Sequence, residues 1–438
     1  MRDKIYKYDC LYAGLKPIVD WCTRNSYRKT SIKGKENIPT DGAVLLSPNH
    51  CNTLMDALVV LRTQRKQVVF GARADLFNSS FIAKLMFFVR ILPMVRQRDG
   101  LRNVLKNKDT QEVIVETLEN DVKFCIYPEG THRTKHSLQV LGKGVFRAAL
   151  AANEKFGDKK PVYIVPVGIE YGDYFRYRSS CIVNFGEAIN VTEFIKTLDT
   201  ENEAQIMEAL RKELTERMSK LITYIKADEN YEGKWALTKM IAVNRKKAYG
   251  EFGTNIYKDM LRNREIVADI EKACEKEPEE MAQILKSAAE FEARRKKRRI
   301  SIYSFKKKSN PVLNAVGKGF AALVGLPYMV FSAITSLPMI VANELIRAKI
   351  RDKAFRNTVS LGVKLALTLI LFPTYAALGF SFTPWWAALA LMLLWLPSFG
   401  YFYDYIEACR RWFSDIRLLN NKKLYKEFKQ ILKQYKNL

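Results

Sequence analysis

The chain has three histidines, His50, His132 and His136, and the first has a carboxylate six residues after it. His50 and Asp56 both lie in "SPNHCNTLMD" (47–56), at the end of an apolar run. A carboxylate on one imidazole nitrogen fixes the tautomer and stabilises the imidazolium, which frees the other nitrogen to take a proton. The sequence has no G-x-S-x-G elbow, so a hydroxyl activated here would belong to a substrate. Taken alone, the pair equally fits a helix cap or a solvated ion pair. Cys51 is a poor nucleophile candidate, because it adjoins an apolar strand and no cluster of bases converges on it.

Two further stretches carry chemistry. In "YPEGTHRTK" (127–135), Pro128 and Gly130 suit a tight loop at a strand end. That loop would hold Glu129 beside Thr131, His132, Arg133 and Lys135. His132 and His136 have the i, i+4 spacing of a metal pair, but their surroundings are polar and no third ligand is apparent. They read as surface residues, with no metal expected. The other stretch is basic: residues 62–108 hold eleven Lys or Arg against Asp75 and Asp99. Within it, Arg96 and Arg98 follow "LPMV" at alternate positions, where two guanidiniums on one face could fork onto a phosphate. A solvated basic face is the plainer alternative.

These groups need a scaffold. Strand patterns occur at 43–48, 68–72, 92–95, 123–128, 162–170 and 181–186, with helical patterns between them at 101–119 and 144–156. Strand alternating with helix implies an α/β sheet with its sites at strand ends. A helix beginning near Asn52 or Thr53 would place Asp56 in its first turns, within reach of His50. Residues 200–300 are rich in Glu, Lys, Ala, Met and Leu and read as charged amphipathic helices.

The last third is apolar. Residues 319–343 and 365–403 contain no charged residue. As one helix the second run would be roughly 58 Å long, against a bilayer core of about 30 Å. A hairpin over 358–378 and 385–403 resolves this, with its turn at "GFSFTPWW" (379–386). Basic residues flank 319–343 on both sides, at 294–308 and 347–356. Orientation follows Lys and Arg near segment ends, so a re-entrant segment broken at Pro327 and Pro338 is expected, with both flanks cytoplasmic.

The formal net charge is +26, which suits an anionic membrane, a phosphorylated substrate or nucleic acid. No RNP, zinc-finger or helix-turn-helix signature supports nucleic acid. Seven cysteines without a C-x-x-C pair fit a reducing compartment. The N-terminus shows no signal-peptide pattern.

Taken in order, four stretches resemble the glycerophospholipid acyltransferases. "NHCNTLMD" is similar to their N-H-x4-D signature, "ILPMVRQRDG" to their second block, "YPEGTHR" to their third and "IVPVGI" (164–169) to their fourth. The similar region spans roughly 33–190. The resemblance implies a mixed sheet with flanking helices, in which His50 is the general base and Asp56 its orienting carboxylate. Asn49, Arg96, Arg98, Glu129, Gly130, Thr131, Arg133 and Pro166 would bind substrate. Arg96 would meet the acceptor phosphate, Glu129 and Gly130 would shape the acceptor site, and Pro166 would line the acyl side. The third block departs from its usual form at Tyr127 and His132, and Arg133 would take over a phosphate contact.

The implied reaction moves an acyl group from an acyl-CoA or acyl carrier protein thioester to 1-acyl-sn-glycerol 3-phosphate. It needs no cofactor, metal or nucleic acid. Glycerol 3-phosphate is the nearest alternative acceptor, and an inactive lipid-binding scaffold is the alternative of another class. The expected organisation is an amphipathic membrane-associated helix in 1–32, the acyltransferase domain in 33–200, a charged helical insert in 201–310, a membrane region in 311–409 and a basic tail in 410–438. The catalytic domain is expected on the cytoplasmic face of the membrane.

Overall fold

A computed structural model describes residues 5–94, 101–245, 255–306 and 311–438. Among them are eight strands and fifteen α-helices. In chain order, the elements of the first half are α1 (Cys10–Asn25), β1 (Tyr27–Lys33), β2 (Ala43–Pro48), α2 (Leu54–Thr63), β3 (Val68–Arg73), α3 (Ser80–Phe88), β4 (Ile91–Met94), α4 (Leu101–Glu119), β5 (Lys123–Cys125), α5 (Gly144–Phe156), β6 (Val162–Tyr171), β7 (Ser179–Phe185), β8 (Ile189–Asn190), α6 (Val191–Lys196) and α7 (Glu203–Ser219). The second half is helical: α8 (Tyr231–Asn244), α9 (Ile256–Lys276), α10 (Pro278–Lys297), α11 (Pro311–Thr335), α12 (Leu337–Lys349), α13 (Arg356–Phe382), α14 (Trp385–Leu419) and α15 (Lys422–Lys436).

The strands form one mixed sheet in the order β1-β7-β6-β2-β5-β3-β4, with β8 paired to β6. β2 pairs in parallel with β5 and β6, and β3 in parallel with β4 and β5. β6 is antiparallel to β7 and β8. The carboxyl ends of β2, β3, β4, β5 and β6 therefore share one edge, where ligand sites of open α/β sheets collect. The β2 residues "AVLLSP" are buried throughout, as expected of a parallel strand covered on both faces.

The chain divides into two compact units. The first comprises Met1–Arg24, Thr30–Tyr174 and Cys181–Ile222. α5 packs its Val145, Phe146, Ala149 and Ala152 face into this core. So does α7, through Ile206, Leu210, Leu214 and Met218. The unit thus includes α7, an amphipathic helix whose apolar stripe packs into this core.

The second unit comprises Asn25–Lys29, Phe175–Ser180 and Thr223–Leu438. α8, α9, α10 and α15 bury one apolar core, with Phe291, Phe305 and Phe428 in ring contact. Beside that core, burial pushes the Glu292 carboxyl up, but hydrogen bonds from Arg295 and the charge of Lys239 outweigh it and hold the group at about 2. Among the described residues, three stretches are long and apolar enough to cross a membrane: Val312–Thr335, Lys353–Phe382 and Trp385–Leu419. α13 and α14 meet at Thr383 and Pro384, within the expected turn.

One expectation fails in detail. The helix runs unbroken through Pro327, and the break falls at Ser336, just before Pro338. α14 supports α11 in this stretch. The Tyr401 and Tyr405 hydroxyls donate to the Gly325 and Ala322 carbonyls at 3.0 and 2.9 Å. A Cβ on Gly325 would lie 2.6 Å from the Tyr401 hydroxyl, so only glycine admits this contact. At the break, the Thr335 carbonyl accepts from the Tyr375 hydroxyl at 3.0 Å and the Trp395 Nε1–H at 3.3 Å. Ser336 and Ser398 share a hydrogen bond of 2.6 Å. Along α14 the contacts run from Trp412 (Gly319) through Tyr405 and Tyr401 to Trp395 (Thr335), then back to Tyr403 (Asn343). α11 thus ascends antiparallel to α14, and α12 returns beside it.

Candidate active site

β2 ends at Pro48, and the backbone then turns sharply into α2 through Thr53, whose φ of 46° is unusual for a β-branched residue. This turn folds Asp56 back under His50. Asp56 Oδ2 lies 2.7 Å from His50 Nδ1. The same oxygen accepts the backbone N–H groups of Cys51 at 2.8 Å and Asn52 at 2.7 Å. Its other oxygen accepts the Tyr171 hydroxyl at 2.8 Å. Asp56 is fully buried, and the His50 side chain is 19% exposed. A buried carboxylate surrounded by donors can only accept, so Nδ1 carries the imidazole proton. Nε2 of the neutral ring is therefore the basic nitrogen. From the first turn of α2, Asp56 thus reaches back to the backbone of the loop that precedes the helix.

The loop after β5 closes over this pair. Glu129 Oε1 accepts the His50 backbone N–H at 3.0 Å, and the Arg133 N–H donates to the His50 carbonyl, also at 3.0 Å. Glu129 Oε2 accepts both the backbone and side-chain N–H of Gln139, at 3.2 and 3.0 Å. Burial pushes the Glu129 carboxyl above its ordinary range, against the pull of these hydrogen bonds. Gly130 sits at φ 66°, which makes the tight turn. Thr131 lies against Gln139, with its hydroxyl 3.3 Å from the amide oxygen. The Tyr127 ring is 4.5 Å from the His50 ring, centre to centre, and the His132 ring is 5.9 Å away.

His50, Asp56, Glu129, Gly130, Thr131 and Arg133 thus come together in one place. Three expected substrate contacts look different. The Asn49 amide bridges to β6, donating to the Ile169 carbonyl at 3.0 Å and accepting the Ile169 N–H at 2.6 Å. With both ends so engaged, it positions the loop. Arg133 Nη2 donates to the Ser137 hydroxyl at 2.8 Å and the Leu138 carbonyl at 3.1 Å, within its own loop. Pro166 is buried inside β6, level with Ser47. Arg96 and Arg98 lie outside the described residues.

The reading of His136 as a surface residue is corrected: it is 6% exposed, and its Nδ1 lies 3.9 Å from Glu170 on β6, whereas His132 is half-buried. A polar local sequence conceals burial imposed from 34 residues away. No cluster of three or more metal-ligand side chains occurs among the described residues. Cys51 is buried, and burial together with Asp56 pushes its thiol well above the usual range, against a nucleophilic role. Tyr171 and Gln139 were not picked out from sequence. Tyr171 closes the strand that pairs with β2, so the strand pairing was the signal that could have found it.

Residues 29–170 match the family described as Acyltransferase. A crystal structure of the 1-acyl-sn-glycerophosphate (LPA) acyltransferase PlsC from Thermotoga maritima is similar at 18% identity, with a TM-score of 0.35 over 47% of this chain and 77% of that one. No curated protein matches the chain.

Proposed function

We propose that the chain, whose residues 29–170 match the Acyltransferase family, is a membrane-bound O-acyltransferase that carries a fatty acyl group from a thioester to 1-acyl-sn-glycerol 3-phosphate. The observation that supports this best is the 2.7 Å contact between His50 Nδ1 and the buried Asp56. His50 Nε2 takes the proton of the acceptor hydroxyl. The oxygen attacks the thioester carbonyl, a C–O bond forms and the C–S bond breaks. The imidazolium, stabilised by Asp56, returns its proton to the departing thiolate. Glu129 holds the loop against His50 and shapes the acceptor side. Arg96 and Arg98 are proposed to meet the acceptor phosphate.

The α11–α12 pair is proposed to be re-entrant, with 294–308 and 347–356 both on the cytoplasmic face. The ascending and returning contacts along α14 support this. Single cysteines at 352 and 382, in a variant without native cysteines, would be labelled in sealed cells with an impermeant maleimide. Labelling at 382 alone is expected, and labelling at 352 would make α11 an ordinary span.

Substrate is tested on the full chain in detergent-lipid micelles. Radiolabelled acyl-CoA and acyl carrier protein are each offered with lysophosphatidate and with glycerol 3-phosphate. Labelled phosphatidate is the expected product. Labelled lysophosphatidate made only from glycerol 3-phosphate would reassign the acceptor, and no transfer to either would sink the reading.

A further inference from the structure

α3 is anomalous in the first unit: none of its residues is buried. Its sequence, "SFIAKLMFF", is nonetheless almost entirely apolar. Phe81 is 75% exposed and Leu85 48% exposed, and with Val89 they stand at i, i+4 and i+8. That spacing makes one continuous stripe along the helix. Phe87, on the other side, packs on the core. Leu76, just before the helix, is also exposed. α1 extends the surface. Its Tyr12 ring meets the Phe88 ring at 6.5 Å, and its Leu11 is exposed.

Two facts indicate what covers this stripe. The exposed Lys84 borders the stripe itself, and the exposed Lys7, whose carbonyl accepts from Arg90 at 2.7 Å, stands at its far end next to Val89. Apolar side chains bordered by lysines suit a leaflet of anionic lipid, into which the apolar face dips by about 5–10 Å. The chain also carries three stretches long and apolar enough to be held in a bilayer. A second copy of this chain would set the same basic rim against itself, which disfavours that occupant.

We propose that α3 is an interfacial helix of the α/β unit, with its Phe81–Leu85–Val89 stripe immersed in the headgroup boundary of an anionic leaflet. α3 connects β3 to β4, which are parallel, so its first turn starts at the sheet edge that carries His50. Immersion at this turn brings that edge down to the lipid. An acceptor with an acyl chain then reaches the site without leaving the bilayer. Only this route of entry rests on the acyltransferase reading.

The surface itself is tested without activity. Benzoylphenylalanine is placed at 81, at 85, or at the exposed Glu193 of α6, in the full chain reconstituted in phosphatidylcholine–phosphatidylglycerol vesicles. Irradiation should give lipid adducts at 81 and 85 well above those at 193. Adduct levels equal to 193, or protein–protein adducts in place of lipid, would overturn the proposal. The route is tested separately with Phe81→Ser/Leu85→Ser. Its apparent KM for a vesicle-borne long-chain acceptor should rise several-fold, with kcat on a short-chain soluble acceptor unchanged. An unchanged KM alongside lipid adducts would retain the surface and discard the route.

Discussion

At Asp56 two backbone N–H groups and two side chains converge on a side-chain acceptor; at Thr335 two side chains converge on a backbone acceptor. The first centre gathers the N–H groups of Cys51 and Asn52, the His50 ring and the Tyr171 hydroxyl onto a carboxylate. The second gathers the Tyr375 hydroxyl and the Trp395 indole onto a carbonyl left without its helical partner. Both satisfy polar atoms that burial would otherwise penalise. They differ in charge. In the proposed reaction, donors around a carboxylate hold a negative charge beside a base that becomes positive, so they act on rate. Donors around a carbonyl hold a neutral bend, so they act on stability.

The largest effect should come from the charge itself. Asp56→Asn keeps the shape. Its amide oxygen can replace Oδ2, and its NH2 can donate to the Tyr171 oxygen, which reverses that one bond. The variant should fold normally and lose at least about a hundredfold in kcat, the span associated with general-base catalysis. His50→Ala should lose as much. Acyl transfer by either variant at more than half the normal rate would remove the dyad from the mechanism.

A smaller effect is expected from Tyr171→Phe. It removes one bond to a charged group and leaves the three donors to Oδ2 intact. Such bonds contribute roughly 1.5–3 kcal/mol, and loss of about 1.4 kcal/mol of it in the transition state makes kcat fall about tenfold while the acceptor KM stays near normal. Unchanged kcat with a lowered unfolding temperature would make Tyr171 a purely structural partner.

The smallest is Tyr375→Phe at the helix break. Loss of one neutral hydrogen bond should cost about 1 kcal/mol of stability, seen as earlier thermal unfolding in detergent. Turnover should remain within twofold of normal. A kcat loss as large as that of Tyr171→Phe would erase the distinction between the two centres.

The sequence made His50 and Asp56 visible because they sit on one strand–loop–helix turn, where local spacing fixes geometry. The loop with Glu129 was visible for the same reason. Tyr171 was not, since it reaches Asp56 across 115 positions through strand pairing. His136 was misjudged from its polar surroundings, although packing against β6 buries it. β1, "YRKTSIK", went unseen because it has no apolar alternation. The end of α11 at Ser336 was misplaced by assigning a break to Pro327, where α14 tyrosines instead support the carbonyls around it.

The cysteines give the first unit a built-in clock. Cys22, Cys51, Cys125 and Cys181 are all buried, whereas Cys10 is exposed. A thiol reagent reacts at once with an open site, but it must wait for the fold to open before it reaches a closed one. Inactivation by such a reagent would therefore time the opening of this unit and say nothing about thiol chemistry. Slow loss of activity that tracks modification of Cys51 would measure how often, under native conditions, the floor beneath His50 comes apart.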